Sequence, residues 1–115
     1  MFNQTILYID TTDNKKTIVG INCDGKEKIY QEKVINFQSQ NLLPLIQKAL
    51  DKEKIKFPDL TEIKVNQGPG SFTGIRVGVT VANTLGWVLN IPVNGKKRVF
   101  PKYHVCFYYL NLQSV

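Results

Sequence analysis

The stretch that decides the fold is residues 68–78, which read Gly68-Pro69-Gly70-Ser71-Phe72-Thr73-Gly74-Ile75-Arg76-Val77-Gly78. It follows a β-rich run at residues 62–66 and precedes helical spacing from about residue 73 to residue 89, so it predicts a strand-to-helix turn. Ser71 or Thr73 can cap the helix, and the free amides at a helix start attract anions. Because the stretch has neither a P-loop lysine nor GxGxxG spacing, it is a weak phosphate-binding signal. A purely structural turn explains the glycines about equally well.

The residues on either side of this turn predict an α/β fold. Three short β-rich runs come first, and their short connections make them antiparallel neighbours. The predicted elements are strands 5–10, 17–21 and 27–34, helix 39–54 with Ser39 as its N-cap, strand 62–66, helix 73–89 and strand 90–93. This order is that of a ribonuclease H-like or actin-like single lobe with a mixed five-stranded sheet. Right-handed crossovers would place the last two strands parallel to the first.

Length and composition are those of one globular domain. The chain has 115 residues, of which 43% are apolar and 21% are charged. Polar residues interrupt every apolar run before it reaches the length of a membrane span, and residues 1–5 do not resemble a signal peptide. Cys23 and Cys106 are too few for a disulfide scaffold and lack metal-ligand spacing. We therefore expect a soluble, cytoplasmic protein that does not bind membranes.

The formal net charge of +6 allows two interpretations. Thirteen of the 15 basic residues are lysines, and only Arg76 and Arg98 are arginines. The basic residues are dispersed except for a few short clusters such as residues 96–98. Solvated lysine-rich faces are the favoured interpretation, because a nucleic-acid binder more often shows an arginine-containing stripe with interleaved aromatic residues. A positive field that helps to capture RNA within an assembly is the other.

The second predicted helix carries a ridge of small residues. Gly74, Gly78, Ala82 and Gly86 recur every four residues, which lets another backbone approach closely. Each glycine costs a helix roughly 1 kcal/mol relative to alanine, so this helix needs packing to form. The ridge is either buried in its own domain or part of an interface with a partner. Trp87 is correspondingly a core residue or an interface anchor.

The residue 68–78 motif, taken together with the opening Ile-Leu-Tyr-Ile-Asp-Thr-Thr at residues 6–12, resembles the TsaB (YeaZ) family. Ser39, Leu42, Pro44 and Ile46 also match that family's first-helix pattern. The family belongs to the Gcp-like branch of the actin/Hsp70/sugar-kinase (ASKHA) superfamily, and its members help to make threonylcarbamoyladenosine on the tRNA adenosine beside the anticodon. The resemblance implies a Gcp-like N-terminal subdomain at residues 1–94. Residues 95–115 would be an irregular extension, first basic and then aromatic.

The resemblance implies a non-catalytic scaffold or activator that binds the catalytic paralogue TsaD. That enzyme would supply the metal and ATP sites, so this chain would need no cofactor of its own. Further implied partners are a TsaE-like ATPase, a second copy of this chain when it is alone, and tRNA through the complex. The implied contact uses both helices, through Leu42, Leu45, Ile46, Ala49, Gly74, Gly78, Ala82, Gly86 and Trp87. On this hypothesis, leucine at position 78 or 82 would abolish pairing and leave the fold largely intact.

Catalysis by the chain itself is disfavoured by its side chains. The residues that could face a phosphate or another anion are Asp10, Thr11, Thr12, Gly68, Pro69, Gly70, Ser71, Phe72, Thr73 and Arg76. Two-metal nuclease chemistry needs several converging carboxylates, whereas Asn66 stands where a second acid is expected. His104 is the only histidine, so a two-histidine metal site cannot be assembled, and a structural role in the turn is favoured for Asp10. Two alternatives stay open: a minimal ATP- or metal-dependent enzyme of the same superfamily, and a standalone basic tRNA-binding module.

Overall fold

The computed structural model describes residues 4–33 and 42–102. They form β1 (Thr5–Asp10), β2 (Lys16–Cys23), β3 (Lys26–Lys33), α1 (Leu42–Lys52), a 3₁₀ turn (Phe57–Asp59), β4 (Glu62–Val65) and α2 (Phe72–Leu89). The predicted order of elements is therefore confirmed as far as the second helix. The predicted helix cap at Ser39 and the residues from 103 onward, including His104 and Cys106, lie outside the described residues.

The four described strands form one mixed sheet in the order β3-β2-β1-β4. β2 is antiparallel to both of its neighbours, and β4 is parallel to β1, as predicted. The β2–β3 hairpin turns at Asp24 and Gly25, whose φ angles are 51° and 93°. Two consecutive residues with positive φ give a tight turn whose twist matches the strands. The sequence pair Asp-Gly thus sets the register of this hairpin.

The predicted fifth strand is reduced to a single bridge. Val93 forms one parallel bridge with Ile63, and the Ile63 N–H donates to the Pro92 carbonyl at 3.0 Å. Asn94 then adopts a left-handed conformation, with φ of 50°, and the chain turns back so that Val93 also bridges Lys96. The Asn94 side chain bonds the Val65 N–H and carbonyl at 2.9 and 3.0 Å and so takes the place of the next strand residue. The described sheet therefore has four strands rather than the predicted five.

Both helices cover the same face of the sheet and enclose the core. Leu7, Ile9, Val19, Ile21 and Ile63 point to this face and are almost fully buried. α1 lies against β2 and β3, and α2 lies against β4 and β1. The alternation of buried and exposed positions along each strand follows from the two-residue period of β-structure.

The opposite face of the sheet is centred on a row formed by Tyr8, Gly20 and Ile29, which are register partners. Ile29 is about half exposed there, and no described helix covers this face. The sheet therefore has one packed side and one side open to solvent within the described residues, as is common for sheets with antiparallel strands.

Residues 95–102 continue along the folded body. Val99 is buried, and its N–H and carbonyl pair with the Asn83 side chain of α2 at 2.9 and 2.8 Å. The Lys102 N–H donates to the Gln67 carbonyl, and the Gln67 side chain donates to the Phe100 carbonyl, at 2.7 and 2.8 Å. The predicted boundary at residue 94 thus falls inside hydrogen-bonded structure, and the first part of the predicted extension is anchored to α2 and to Gln67 in the loop after β4.

Candidate functional site

Asp10 lies at the carboxyl end of β1 and is the centre of a hydrogen-bonded cluster. Its Oδ1 accepts from the Thr12 N–H at 3.0 Å and from the Thr12 hydroxyl at 2.7 Å. Its Oδ2 accepts from Asn66 Nδ2 at 3.2 Å and from the Tyr8 hydroxyl at 3.3 Å. Both carboxylate oxygens are therefore engaged by donors from the chain itself. The cluster joins the ends of β1 and β4, which supports the structural role expected for Asp10.

The same contacts set the ionisation of the cluster. Partial burial acts to raise the pKa of Asp10, but the bonds from Thr12, Asn66 and Tyr8 together outweigh burial and hold this pKa below its usual value. The pKa of Tyr8 is raised, first by burial and then by the negative charge of Asp10. Asp10 is thus kept as a carboxylate and Tyr8 as a neutral donor at neutral pH.

The glycine-containing turn fits closely against the end of β1. A Cβ atom at Gly70 would stand 2.6 Å from the Thr12 carbonyl oxygen, and one at Gly74 would collide with the carbonyl oxygen of Thr11. The Ser71 N–H donates to the Thr12 carbonyl at 2.6 Å, which ties the loop to the strand. The glycines are therefore required by the close approach of two backbone segments.

The helix start is satisfied largely by its own chain. Ser71 is the N-cap, and its hydroxyl accepts from the Gly74 N–H at 3.3 Å. The Gly68 N–H donates to the Asn66 side chain at 3.1 Å, and Gly68 has a φ of 113°. Several amides that could have faced an anion therefore have internal partners. Anion binding by this loop, including Pro69, Phe72, Thr73 and Arg76, stays a prediction.

The small-residue ridge of α2 faces inward. Gly78, Ala82 and Gly86 are buried, and Gly74 is half-buried. A Cβ at Gly78 would collide with the Thr11 hydroxyl, and one at Gly86 would stand 2.5 Å from Val93 Cγ2. The ridge therefore lets α2 approach β1 and the residue 91–93 segment of its own domain. This contradicts the prediction that the ridge contacts a partner.

The four predicted interface residues of α1 are also core residues. Leu42, Leu45, Ile46 and Ala49 are all buried in the cluster between α1 and the sheet. Their spacing is that of the buried stripe of an amphipathic helix, and nothing in the spacing alone tells a core stripe from a partner stripe. The prediction that these side chains meet a partner is therefore wrong, because the chain's own sheet covers them.

Exposed apolar side chains lie elsewhere on the two helices. Trp87 is 81% exposed and Val88 is 63% exposed near the end of α2, and Leu43 of α1 is about half exposed. α2 has 18 residues, and Arg76 is its only charged one. The predicted interface did not include Val88 or Leu43. The scarcity of charge in α2 is a sequence signal that could have pointed to them, because an ordinary solvated helix face carries more charged residues.

Other chemistry finds little support among the described residues. Within 4–33 and 42–102 no three His, Cys, Asp or Glu side chains lie close enough to share a metal ion. Cys23 is buried, and burial followed by the charge of Glu53 raises the pKa of its thiol, which disfavours a nucleophilic thiolate. Neither α1 nor α2 is long and apolar enough to cross a membrane.

Comparison with known proteins gives consistent results. A family model described as TsaD, tRNA N6-adenosine threonylcarbamoyltransferase, matches residues 31–96. The tRNA threonylcarbamoyladenosine biosynthesis protein TsaB of Bacillus subtilis is 37% identical over 90 residues, which are 78% of this chain and 39% of that protein. The TsaB protein of Escherichia coli is 31% identical over 78% of this chain and 38% of its own length.

The solved structure of YeaZ from Pseudomonas aeruginosa has a similar fold. It superimposes with a TM-score of 0.71 at 29% identity and covers 78% of this chain and 41% of that chain. The chain described above thus spans about two fifths of the length of the relatives that it matches.

Proposed function

The chain belongs to the TsaB (YeaZ) family, and from this premise we propose that it is a non-catalytic accessory subunit in the biosynthesis of threonylcarbamoyladenosine in tRNA. In this proposal its fold is one lobe of the ASKHA type, and the catalytic partner is a TsaD-like enzyme that holds the metal and ATP. A TsaE-like ATPase joins the same assembly, and a second copy of the chain takes the partner's place when the enzyme is absent.

The observation that carries the proposal is an apolar surface on the outside of the helices. Val77, Val81 and Val88 recur at intervals of four and seven residues and so lie along one stripe of α2, which we call the valine stripe. Val77 and Val81 are half-buried at the margin of the core cluster, and Val88 is mostly exposed. An uncovered apolar side chain at Val88, beside these half-buried valines and on a helix that has one charge in 18 residues, marks a surface where a partner can pack.

The proposed contact therefore keeps the helices as the docking elements but assigns different residues. The ridge holds α2 to its own sheet, and the valine stripe together with Leu43 faces the partner. The role of the chain is then architectural: it packs on the enzyme and holds it in an active arrangement. An architectural role also fits Asp10, whose carboxylate accepts four hydrogen bonds from the chain itself.

The test is pairing with the TsaD protein of the same organism, measured by light scattering after size exclusion. We expect a stable complex with the unaltered chain and at least tenfold weaker pairing with Val88→Asp or Leu43→Asp, because a charge would be buried in an apolar contact. Ile29→Asp is the matched control, since Ile29 is an exposed apolar residue on the opposite face of the sheet. Unchanged affinity of the helix variants, or an equal loss with Ile29→Asp, would overturn the assignment.

A further inference from the structure

Charge is distributed very unevenly along this chain. All nine acidic residues lie at or before Glu62, where they are matched by nine lysines. From residue 63 to residue 115 there are six basic residues and no Asp or Glu. The whole formal net charge of +6 therefore belongs to the second half of the sequence. Such an asymmetry is the electrostatic footprint of a surface that meets a polyanion.

The fold gathers most of this charge along one flank of α2. Val99 pairs with Asn83, and Trp87 follows Asn83 by four residues, so it lies one turn further along the same flank. The chain from Lys96 to Phe100 consequently runs beside this flank of the helix. It brings Lys96, Lys97 and Arg98, all exposed, next to a helix surface whose own charged residue is Arg76.

Exposed aromatic rings are interleaved with these cations. The Arg98 guanidinium lies 5.5 Å from the centre of the Phe100 ring, and Phe100 is 65% exposed. At the other end of the flank, the Arg76 guanidinium lies 5.6 Å from the centre of the Phe72 ring. We call the set Arg76, Trp87, Lys96, Lys97, Arg98 and Phe100 the basic strip.

A groove at one end of the basic strip combines both kinds of side chain. It has a volume of about 460 Å³, and its walls include Trp87, Asn90, Ile91, Pro92, Lys96 and Lys97. Two carbonyls of the last α2 turns have partners there: the Gly86 carbonyl accepts from the Ile91 N–H at 3.0 Å, and the N–H of the cap residue Asn90 donates to the Trp87 carbonyl. The groove thus offers an aromatic face and two cations without a competing carboxylate among its walls.

An acidic protein and an RNA would both satisfy the charge, but the rings favour RNA. An acidic helix accounts for the lysines and arginines alone. Unpaired nucleotides need both groups, because their phosphates bind the cations and their bases stack on aromatic faces and on guanidinium planes. Bases held in a duplex offer no free face to Trp87 or Phe100, so an unpaired segment is the matching form of RNA.

We propose that the basic strip binds an unpaired segment of RNA, with a base stacked on Trp87 and phosphates held by Lys96, Lys97 and Arg98. The inference rests on the proposed role in tRNA modification, which it deepens by assigning the RNA contact to a flank of α2 that the valine stripe leaves free. Its test uses this chain alone, so a failure of RNA binding and a failure of pairing with TsaD are separate results.

The experiment is a titration with a 5′-labelled RNA stem-loop that has a single-stranded loop, followed by fluorescence anisotropy at several salt concentrations. Trp87 is the only tryptophan, so its intrinsic fluorescence reports stacking directly. We expect RNA to quench this fluorescence and Trp87→Ala to weaken binding about tenfold. Lys96→Ala with Lys97→Ala should weaken binding at least tenfold and reduce the slope of log affinity against log salt by about 1.4, the value for two phosphate contacts on a single strand.

The matched control removes two lysines from the other half of the chain. Lys26→Ala with Lys28→Ala lowers the net charge by the same amount at the exposed β3 edge, and we expect it to change affinity less than twofold. An equal loss in the two double variants would overturn the proposal, because binding would then follow net charge alone. It would also be overturned by unquenched tryptophan, by equally tight binding of a fully paired duplex, or by equally tight binding of a polyglutamate peptide of the same charge.

Discussion

Packing within the fold explains the residues on the inner face of α2, but it does not explain those on the outer face. The inner face consists of Gly74, Gly78, Ala82 and Gly86, and each glycine among them has a named neighbour that excludes a larger side chain. The outer face carries Arg76, Trp87 and Val88, whose side chains project into solvent. The four-residue repeat of small side chains thus belongs to the packing of the fold, and the side chains that project into solvent are the ones that a partner can reach. Periodicity in a helix locates its core more securely than its function.

The largest expected effect comes from filling the inner face. Gly78→Leu places a side chain where the Thr11 hydroxyl and Ile9 already stand, so we expect a loss of about 3 kcal/mol in the free energy of unfolding, or no folding at all. Urea denaturation measures the change. Thr80→Leu is the control, because Thr80 is two residues away on the exposed side, and it should change stability by less than about 0.5 kcal/mol. If Gly78→Leu were as stable as the control, α2 would not pack as described.

The end of β1 gives a smaller and pH-dependent effect. Asp10→Ala leaves the donors of Thr12 and Asn66 without their acceptor, and we expect a loss of about 1 to 3 kcal/mol near pH 7. Because the pKa of Asp10 in the folded protein is lower than its usual value of 3.8, the ionised group stabilises the fold above about that pH. This stabilisation disappears as the pH falls through the lower, folded-state pKa.

The measurement is urea denaturation of both proteins between pH 7 and pH 2.5, where the difference in stability should narrow on acidification. Asp51→Ala is the control, since Asp51 is exposed on α1 and accepts a bond from the Gln47 side chain at 2.9 Å. Its effect should stay within about 0.5 kcal/mol. A pH-independent difference between Asp10→Ala and the unaltered chain would show that the ionised carboxylate is not what Thr12 and Asn66 stabilise.

Local sequence signals predicted most of the fold. The strand periods, the Asp24-Gly25 turn and a helix cap at Ser71 or Thr73 are signals that act over a few residues, so they could be predicted directly, and the structure has the cap at Ser71. The prediction of a fifth strand was wrong, because Asn94 adopts a left-handed conformation and its side chain replaces a hydrogen bond of the sheet. A β-rich run in the sequence does not reveal such a turn.

What the apolar stripe of each helix packs against could not be predicted, for a different reason. A buried stripe has the same spacing whether it faces its own sheet or a partner. The positions of Ala49 and Ala82 therefore fitted a core stripe and a partner contact equally well. The basic strip was equally hidden, because it exists only when residues 96–100 fold back beside Asn83. The lysine cluster was visible in the sequence, whereas its aromatic neighbour Trp87 comes from a separate element.

The smallest expected effect concerns the contact that brings the basic strip together. Asn83→Ala removes both bonds to the Val99 backbone, one donated and one accepted, and we expect a loss of about 1 kcal/mol. The amide of Val99 should exchange with solvent faster while the amides of β1 keep their protection, because residues 96–100 detach and the sheet does not. Thr84→Ala is the control, since its hydroxyl bonds only the Thr80 carbonyl within α2. Unaltered exchange at Val99 would mean that buried apolar contacts, rather than Asn83, hold this segment against the helix. Apolar packing would then fix the outer side of α2 as it fixes the inner side.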